Sequence, residues 1–79
     1  MTSDKILTFE FSPDGRELEI HADDKGLNEL IGCLPRTLRI REHDHLMTPD
    51  WGGTELTQAP QGESDRRVNK VTVRVWDEM

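Results

Sequence analysis

Two histidines and a later carboxylate form the densest group of side chains that could do chemistry in this sequence. His43 and His45 flank one aspartate, and Glu55 follows them in the chain. Alternate residues of a strand share a face, so both imidazoles could bind one metal ion if Glu55 supplied a third ligand. A solvated, hydrogen-bonded histidine pair is the simpler interpretation. We expect no metal and no cofactor. A metal site formed by His43, His45 and Glu55 is the alternative.

Trp51 is followed by Gly52 and Gly53, and this turn has two interpretations. The glycines could let the chain reverse beneath a packed indole, or the turn could display Trp51 as an anchor for a partner. No serine or cysteine nucleophile stands beside the histidines, and Cys33 lies in an apolar stretch typical of a buried thiol. We therefore expect no enzymatic activity.

The elements that must position these residues begin with a β-hairpin. Alternating apolar residues predict strands over residues 5–11 and 17–22, with Leu18, Ile20 and Ala22 facing inward. The intervening residues 12–15 read Ser-Pro-Asp-Gly, which suits a tight turn. The hairpin is the firmest local prediction.

A helix is predicted next, with Asp23 and Asp24 as capping carboxylates. Its apolar residues recur at helical spacing and form a stripe expected to pack on the sheet: Leu27, Leu30, Ile31 and Leu34. Pro35 is expected to end the regular helix, because proline has no amide hydrogen. Leu38 and Ile40 could prolong the stripe or begin the connection.

The remaining chain predicts a third strand over residues 42–48, a turn over 49–53 and a short edge strand over 54–57. A polar loop over 58–65 and a last strand over 71–76 follow. The expected fold class is α+β. One domain, residues 1–79, would have a mostly antiparallel four- or five-stranded sheet with one helix on one face, in the order β-β-α-β-(β)-β.

Charge excludes some partners and favours others. The formal net charge of -6 disfavours nucleic acid and anionic membranes and favours a basic protein partner. The acidic excess is concentrated in residues 1–34 and 46–65. A single cysteine and the lack of a long apolar run predict a cytoplasmic protein, either a monomer or a weak dimer.

The string over residues 45–56, His-Leu-Met-Thr-Pro-Asp-Trp-Gly-Gly-Thr-Glu-Leu, carries a family resemblance. With the preceding His43 it resembles the signature of the immunity protein 32 family, small bacterial proteins of polymorphic toxin systems. The resemblance implies a toxin-neutralising protein that acts by binding and has no catalysis of its own. The candidate partner-binding residues are His43, His45, Trp51 and Glu55.

Acidic composition suggests that the cognate toxin is basic, and a nuclease would fit this description. Two alternatives remain open from the residues alone. One is a small metal-binding domain that uses His43, His45 and Glu55. The other is a generic interaction module that presents its sheet face or last strand to a partner or to a second copy of itself.

Overall fold

The computed structural model describes residues 5–62 and 66–76. They form two antiparallel strand pairs, one α-helix and a short 3₁₀ helix. In chain order the elements are β1 (Leu7–Phe11), β2 (Leu18–Ala22), α1 (Asp24–Ile40), β3 (His43–Met47), the 3₁₀ helix (Pro49–Trp51) and β4 (Lys70–Arg74). Residues 63–65 of the predicted loop lie outside the described residues.

The predicted hairpin is confirmed as β1 and β2, with Phe9 opposite Ile20. Its turn closes because Gly15 has a φ of 74°, which suits glycine, and donates its amide to the Ser12 carbonyl at 2.8 Å. The Asp14 carboxylate accepts hydrogen bonds from the Ser12 hydroxyl at 2.7 Å and the Arg16 amide at 3.0 Å. These local bonds fix the register that places Phe9 beside Ile20.

The expected single sheet is wrong, because β3 and β4 form a second antiparallel pair. The chain before β4 touches the free side of β1 only briefly: Arg67 forms an isolated bridge with Glu10, and the Val68 amide donates to the Phe9 carbonyl at 2.8 Å. From Asn69 onward the chain pairs with β3 instead. The first bond of this pairing runs from the Thr48 amide to the Asn69 carbonyl. The contact with β1 is therefore too short to make one continuous sheet.

The predicted edge strand over residues 54–57 is also not formed. Leu56 donates its amide to the Met47 carbonyl at 3.1 Å, and Thr57 donates to the Leu7 carbonyl at 2.8 Å. The Glu55 carboxylate accepts the Met47 amide at 3.2 Å, so that amide does not enter a main-chain ladder. This segment is an irregular link that joins the two strand pairs.

Helix α1 begins as predicted and ends later than predicted. The Asp23 carboxylate accepts the Gly26 amide at 2.8 Å and so caps the first turn. Pro35 lies inside the helix, so the expectation that it ends the helix is wrong. Proline removes one amide donor, but the chain continues to Arg41, whose left-handed conformation and amide bond to the Thr37 carbonyl close the last turn.

The helix buries a different face from the one expected. Its covered residues are Gly26, Cys33 and Thr37, with Leu30 packed against the core. Leu27, Ile31 and Leu34 of the predicted packing stripe are about half exposed, as is Leu38. Two anchors fix this rotation: main-chain and capping bonds join Asp23 to Ile6, and Arg36 bonds to Asp44 of β3.

The hydrophobic core lies between α1 and the two strand pairs. Its buried apolar residues are Leu7, Phe9, Cys33, Leu46 and Leu56. Cys33 is buried, as the sequence predicts, whereas the expected inward-facing residues of β2 are exposed: Leu18, Ile20 and Ala22. They share a face with Leu7 and Phe9, but the β1 side of that face is buried in the core and the β2 side is exposed. No described helix is long and apolar enough to span a membrane.

Candidate protein-binding surface

The Trp51 turn, residues 48–53, is a compact structure held by its own main chain. The Thr48 carbonyl accepts the amides of Trp51 at 2.9 Å and Gly53 at 3.0 Å, and the Pro49 carbonyl accepts the Gly52 amide at 2.9 Å. Gly52 has a φ of 90°, a conformation that residues with a Cβ rarely adopt. The turn type therefore requires a glycine directly after the tryptophan.

The turn is also attached firmly to the strands beneath it. The Thr48 hydroxyl donates to the Asn69 side-chain oxygen at 2.8 Å, and the Thr48 amide donates to the Asn69 carbonyl at 3.0 Å. A Cβ on Gly53 would lie 2.5 Å from the Met47 carbonyl oxygen, so glycine permits a close main-chain approach there. These contacts hold the turn in one position relative to β3 and β4.

Glu55 acts as a brace for this turn. One of its carboxylate oxygens accepts the Met47 amide at 3.2 Å and the Thr54 amide at 3.3 Å. The structure therefore gives Glu55 the bracing role that the sequence left open. Its exposure to a partner is limited, because the side chain is turned toward the main chain that it supports.

Trp51 itself is 56% exposed. The glycines let the chain reverse, as one of the two interpretations predicts, and the indole at this turn is more than half exposed. A large aromatic side chain on a turn held by several hydrogen bonds is pre-organised for contact, because little conformational entropy remains to be lost on binding. Within the predicted set, His43 and Trp51 are exposed, and Trp51 has the larger side chain.

His43 and His45 lie together on β3. Their rings meet edge to face with centroids 4.8 Å apart. His43 is exposed, whereas His45 is partly buried and its Nδ1 is 3.1 Å from the Thr72 hydroxyl on β4. Partial burial, reinforced by the nearby positive charges of Lys70 and Arg74 and by His43, lowers the pKa of His45. A neutral ring at position 45 suits its hydrogen bond to Thr72.

The metal-binding alternative gains no support from the described residues. Among them, no group of three or more histidine, cysteine, aspartate or glutamate side chains is placed to hold a metal ion. Glu55 bonds to main-chain amides, and His45 bonds to Thr72. The two histidines lie together as expected, whereas Glu55 bonds to main-chain amides on either side of the Trp51 turn.

A second surface consists largely of residues that the sequence predicts to pack in the core. We call it the apolar face. It comprises residues of β1, β2 and α1 that are 45–56% exposed: Phe11, Leu18, Ile20, Leu27, Ile31, Leu34 and Leu38. A signal was present, because Gly26, Leu30, Cys33 and Thr37 also recur at helical spacing and include small residues that permit close packing.

Comparison with protein-family models, with curated proteins and with solved structures finds no match for this chain.

Proposed function

We propose that this chain is a non-catalytic, toxin-neutralising protein of the immunity type, which binds a basic bacterial toxin through the Trp51 turn. One observation carries the proposal: Trp51 is 56% exposed on a turn that Glu55 and Asn69 hold in place. Tryptophan is enriched among the few residues that dominate binding energy in protein interfaces. A braced turn that projects such a residue fits a binding role.

The charge of the chain supports a basic partner. The formal net charge is -6, and Asp50 stands directly before Trp51 in the exposed part of the turn. An acidic surface speeds the encounter with a basic protein and disfavours other acidic proteins. A nuclease that binds phosphate groups through basic residues is a toxin of this kind.

The proposal predicts that a gene next to the one for this chain encodes its toxin. The neighbouring product is expressed in bacteria with and without this chain, and growth is measured. We expect growth to stop with the toxin alone and to recover when both proteins are present. A toxin that remains fully active in the presence of the folded chain contradicts the proposal.

Two matched tryptophan variants locate the binding surface. Trp51→Ala should weaken toxin binding measured by calorimetry by at least about 30-fold, since truncating an interface anchor typically costs 2 kcal/mol or more. Trp76→Ala is the control, because Trp76 is 81% exposed and follows the end of β4 opposite to the one that bonds the Trp51 turn. If both variants bind the toxin as tightly as the unmodified chain does, the Trp51 turn is not part of the interface.

Salt dependence tests the contribution of charge separately. The association rate with the toxin should fall as ionic strength rises, because salt screens attraction between exposed charges. Stopped-flow measurements at several salt concentrations would show this. A constant association rate would leave the binding proposal standing and refute its electrostatic part.

A further inference from the structure

Strand β2 forms one edge of the first strand pair. It bonds to β1 along one side, and no other described strand pairs with its outer side. The side chains of Leu18, Ile20 and Ala22 are exposed. An edge strand with an apolar face is a ready surface for pairing with another strand.

The main-chain pattern identifies the groups that face outward. The Ser12 amide donates to the Glu17 carbonyl at 3.0 Å, which makes these two residues a hydrogen-bonded pair of the antiparallel ladder. Such pairs recur at every second residue, so Glu19 and His21 turn their amides and carbonyls toward β1. The amides and carbonyls of Leu18, Ile20 and Ala22 therefore point to the open edge. These three residues expose both apolar side chains and main-chain hydrogen-bonding groups.

The helical part of the apolar face lies on the same side as this edge. The opposite flank of α1 carries Glu29, which pairs with Lys5 at 3.5 Å, and Arg36, which pairs with Asp44 of β3 at 2.6 Å. Arg36 is about half a turn of the helical wheel from Leu34. Thr57 bonds to the Leu7 carbonyl on the outer side of β1, and Leu56 bonds to the Met47 carbonyl of β3, so β3 lies on the side of β1 away from β2. The stripe of Leu27, Ile31, Leu34 and Leu38 is therefore directed toward the β2 side.

The extent of the apolar face is large for a small chain. Its seven large side chains, each about half exposed, offer on the order of 600 Å² of mostly apolar surface. This is at the upper end of what single proteins expose and close to the roughly 800 Å² per partner of a standard interface. With the main-chain bonds of a paired strand, it is enough for a modest dimer.

We propose that two copies of this chain associate through β2, with Ile20 next to Ile20 of the second copy on the twofold axis. In this register Leu18 pairs with Ala22 of the other copy, and each outward-facing pair exchanges two main-chain hydrogen bonds. The two strand pairs become one four-stranded antiparallel sheet. Both helices lie on the same face of it, with their leucine stripes directed toward each other across Leu18 and Ile20.

Charge selects this register over its neighbours. On the other face of β2, Glu19 accepts a bond from His21 of its own chain at 3.0 Å. Centring the dimer on Ile20 places Glu19 opposite His21 of the second copy, which is a favourable pair. Centring it on residue 19 would oppose two glutamates, and centring it on residue 21 would oppose two histidines. Among the registers centred on residues 19, 20 and 21, the one centred on Ile20 is the one that pairs Glu19 with His21.

The dependence of molecular mass on protein concentration tests whether the dimer exists. Sedimentation equilibrium of the full chain from about 10 µM to about 1 mM should show a shift from monomer to dimer. Ile20→Lys should abolish the shift, because it places two ammonium groups on the axis, and Glu42→Lys, at an exposed residue before β3, is the control. Ile20 is 48% exposed, so circular dichroism should show an intact fold in that variant. A strictly monomeric unmodified chain at 1 mM overturns the proposal.

Disulfide trapping tests the register. Ile20→Cys would place its two copies about 5.5 Å apart between Cα atoms, within the range of a disulfide. Ala22→Cys is the matched control, since its copies would be separated by about 14 Å along the paired strands. The natural Cys33 is buried and serves as an internal control. Rapid oxidation to a covalent dimer is expected only for Ile20→Cys, and equal or reversed trapping of the two variants overturns the register.

A charge exchange separates pairing of β2 from other modes of association. Glu19→Lys should weaken the dimer about fivefold, because a lysine would face His21 of the second copy. The double variant Glu19→Lys with His21→Glu should recover much of the loss. Dimerisation unaffected by the single variant would contradict the proposed pairing. None of these measurements involves a toxin, so their failure and the failure of the toxin-binding proposal are distinguishable.

Discussion

Gly26 lies main chain against main chain with Ile6: a Cβ built on Gly26 would be 1.7 Å from the Ile6 carbonyl oxygen. The same helix start is tied to β1 by the Asp23 amide, which donates to the Ile6 carbonyl at 3.1 Å. The Asp23 carboxylate in turn accepts the Ile6 amide at 3.0 Å. This junction sets the distance and the rotation of α1 relative to β1.

Gly26→Ala should therefore destabilise the fold strongly. No flexible side chain can yield to the added methyl group, so the helix must move away from β1. We expect the free energy of unfolding in urea to fall by about 3 kcal/mol or more. The matched control is Gly32→Ala in the same helix, where the methyl group meets no atom within 4 Å.

Gly32→Ala should stabilise the protein by up to about 1 kcal/mol, since alanine favours a helix more than glycine does. Opposite signs for these two substitutions are the expected result. A similar response from both would show that α1 does not approach β1 as closely as described.

Glu10→Gln should destabilise the fold near neutral pH. The buried Glu10 carboxylate accepts the Thr8 hydroxyl at 2.5 Å and the amides of Gln61 at 2.8 Å and Gly62 at 2.9 Å. A glutamine amide would direct hydrogens toward one of these donors. The cost should be about 2 kcal/mol of unfolding free energy, measured in urea at pH 7.

The pH dependence of this effect follows from the pKa of Glu10. Burial alone would raise this pKa, but the bonds from Thr8, Gln61 and Gly62 outweigh burial and lower it. The carboxylate therefore stabilises the fold above the ordinary glutamate pKa of about 4.3. This contribution is lost as the pH falls through the lower folded-state pKa.

Urea unfolding of the unmodified chain and of Glu10→Gln should be measured between pH 7 and pH 2.5. The difference between their free energies of unfolding at each pH gives the contribution of the carboxylate. The difference should shrink on acidification, whereas the exposed Glu17→Gln control should show little difference at any pH. A gap between the first two proteins that stays constant to pH 2.5 would contradict the role of the Glu10 charge.

Trp51→Ala should leave stability nearly unchanged despite the size of the side chain. The indole is 56% exposed, and the hydrogen bonds of the turn are made by the main chain and other side chains. We expect a change in unfolding free energy within about 0.5 kcal/mol. Leu46→Ala provides the contrast, since Leu46 is fully buried and should cost about 2–5 kcal/mol. A comparable loss for Trp51→Ala would indicate that the indole packs into the fold.

His45 should titrate below the ordinary histidine pKa of about 6.5. Partial burial and then the charges of Lys70, His43 and Arg74 lower the pKa of His45. The stability that the neutral ring contributes is present above the ordinary pKa of about 6.5 and is lost as the pH falls through the lower folded-state pKa. NMR titration of the ring nitrogens measures the pKa directly. Lys70→Gln should raise it, whereas Lys25→Gln on the helix should not. An unshifted ring in the unmodified protein would contradict the described environment.

Local patterns predicted most of the secondary structure. The turn residues and alternation predicted the β1–β2 hairpin, and the capping aspartate predicted where α1 begins, because both depend on contacts only a few residues apart. Pro35 misled the prediction of the helix end. The helix continues past it to contacts that lie beyond position 35, among them the bond from the Arg41 amide to the Thr37 carbonyl.

Of the candidate site, the sequence placed His43 and His45 on one strand and Trp51 on a turn, and the structure agrees. It left open whether Glu55 binds a partner or braces the turn. That choice depends on whether the Met47 amide lies within reach of the carboxylate, which requires the chain to fold back across β3. Sequence spacing alone carries no information about such a return.

The sequence by itself determined the approximate positions of the four strands, the helix start, the turn chemistry and the acidic character of this protein, since these follow from residue type and short-range spacing. Only the tertiary structure decided which face of α1 is buried. Two apolar stripes compete along that helix, and close approach at Gly26, together with the Arg36–Asp44 pair, buries the one with smaller residues. The larger stripe and β2 remain uncovered, because the choice of buried stripe depends on contacts with Ile6 and Asp44, outside the helix, which the hydrophobic pattern does not reveal.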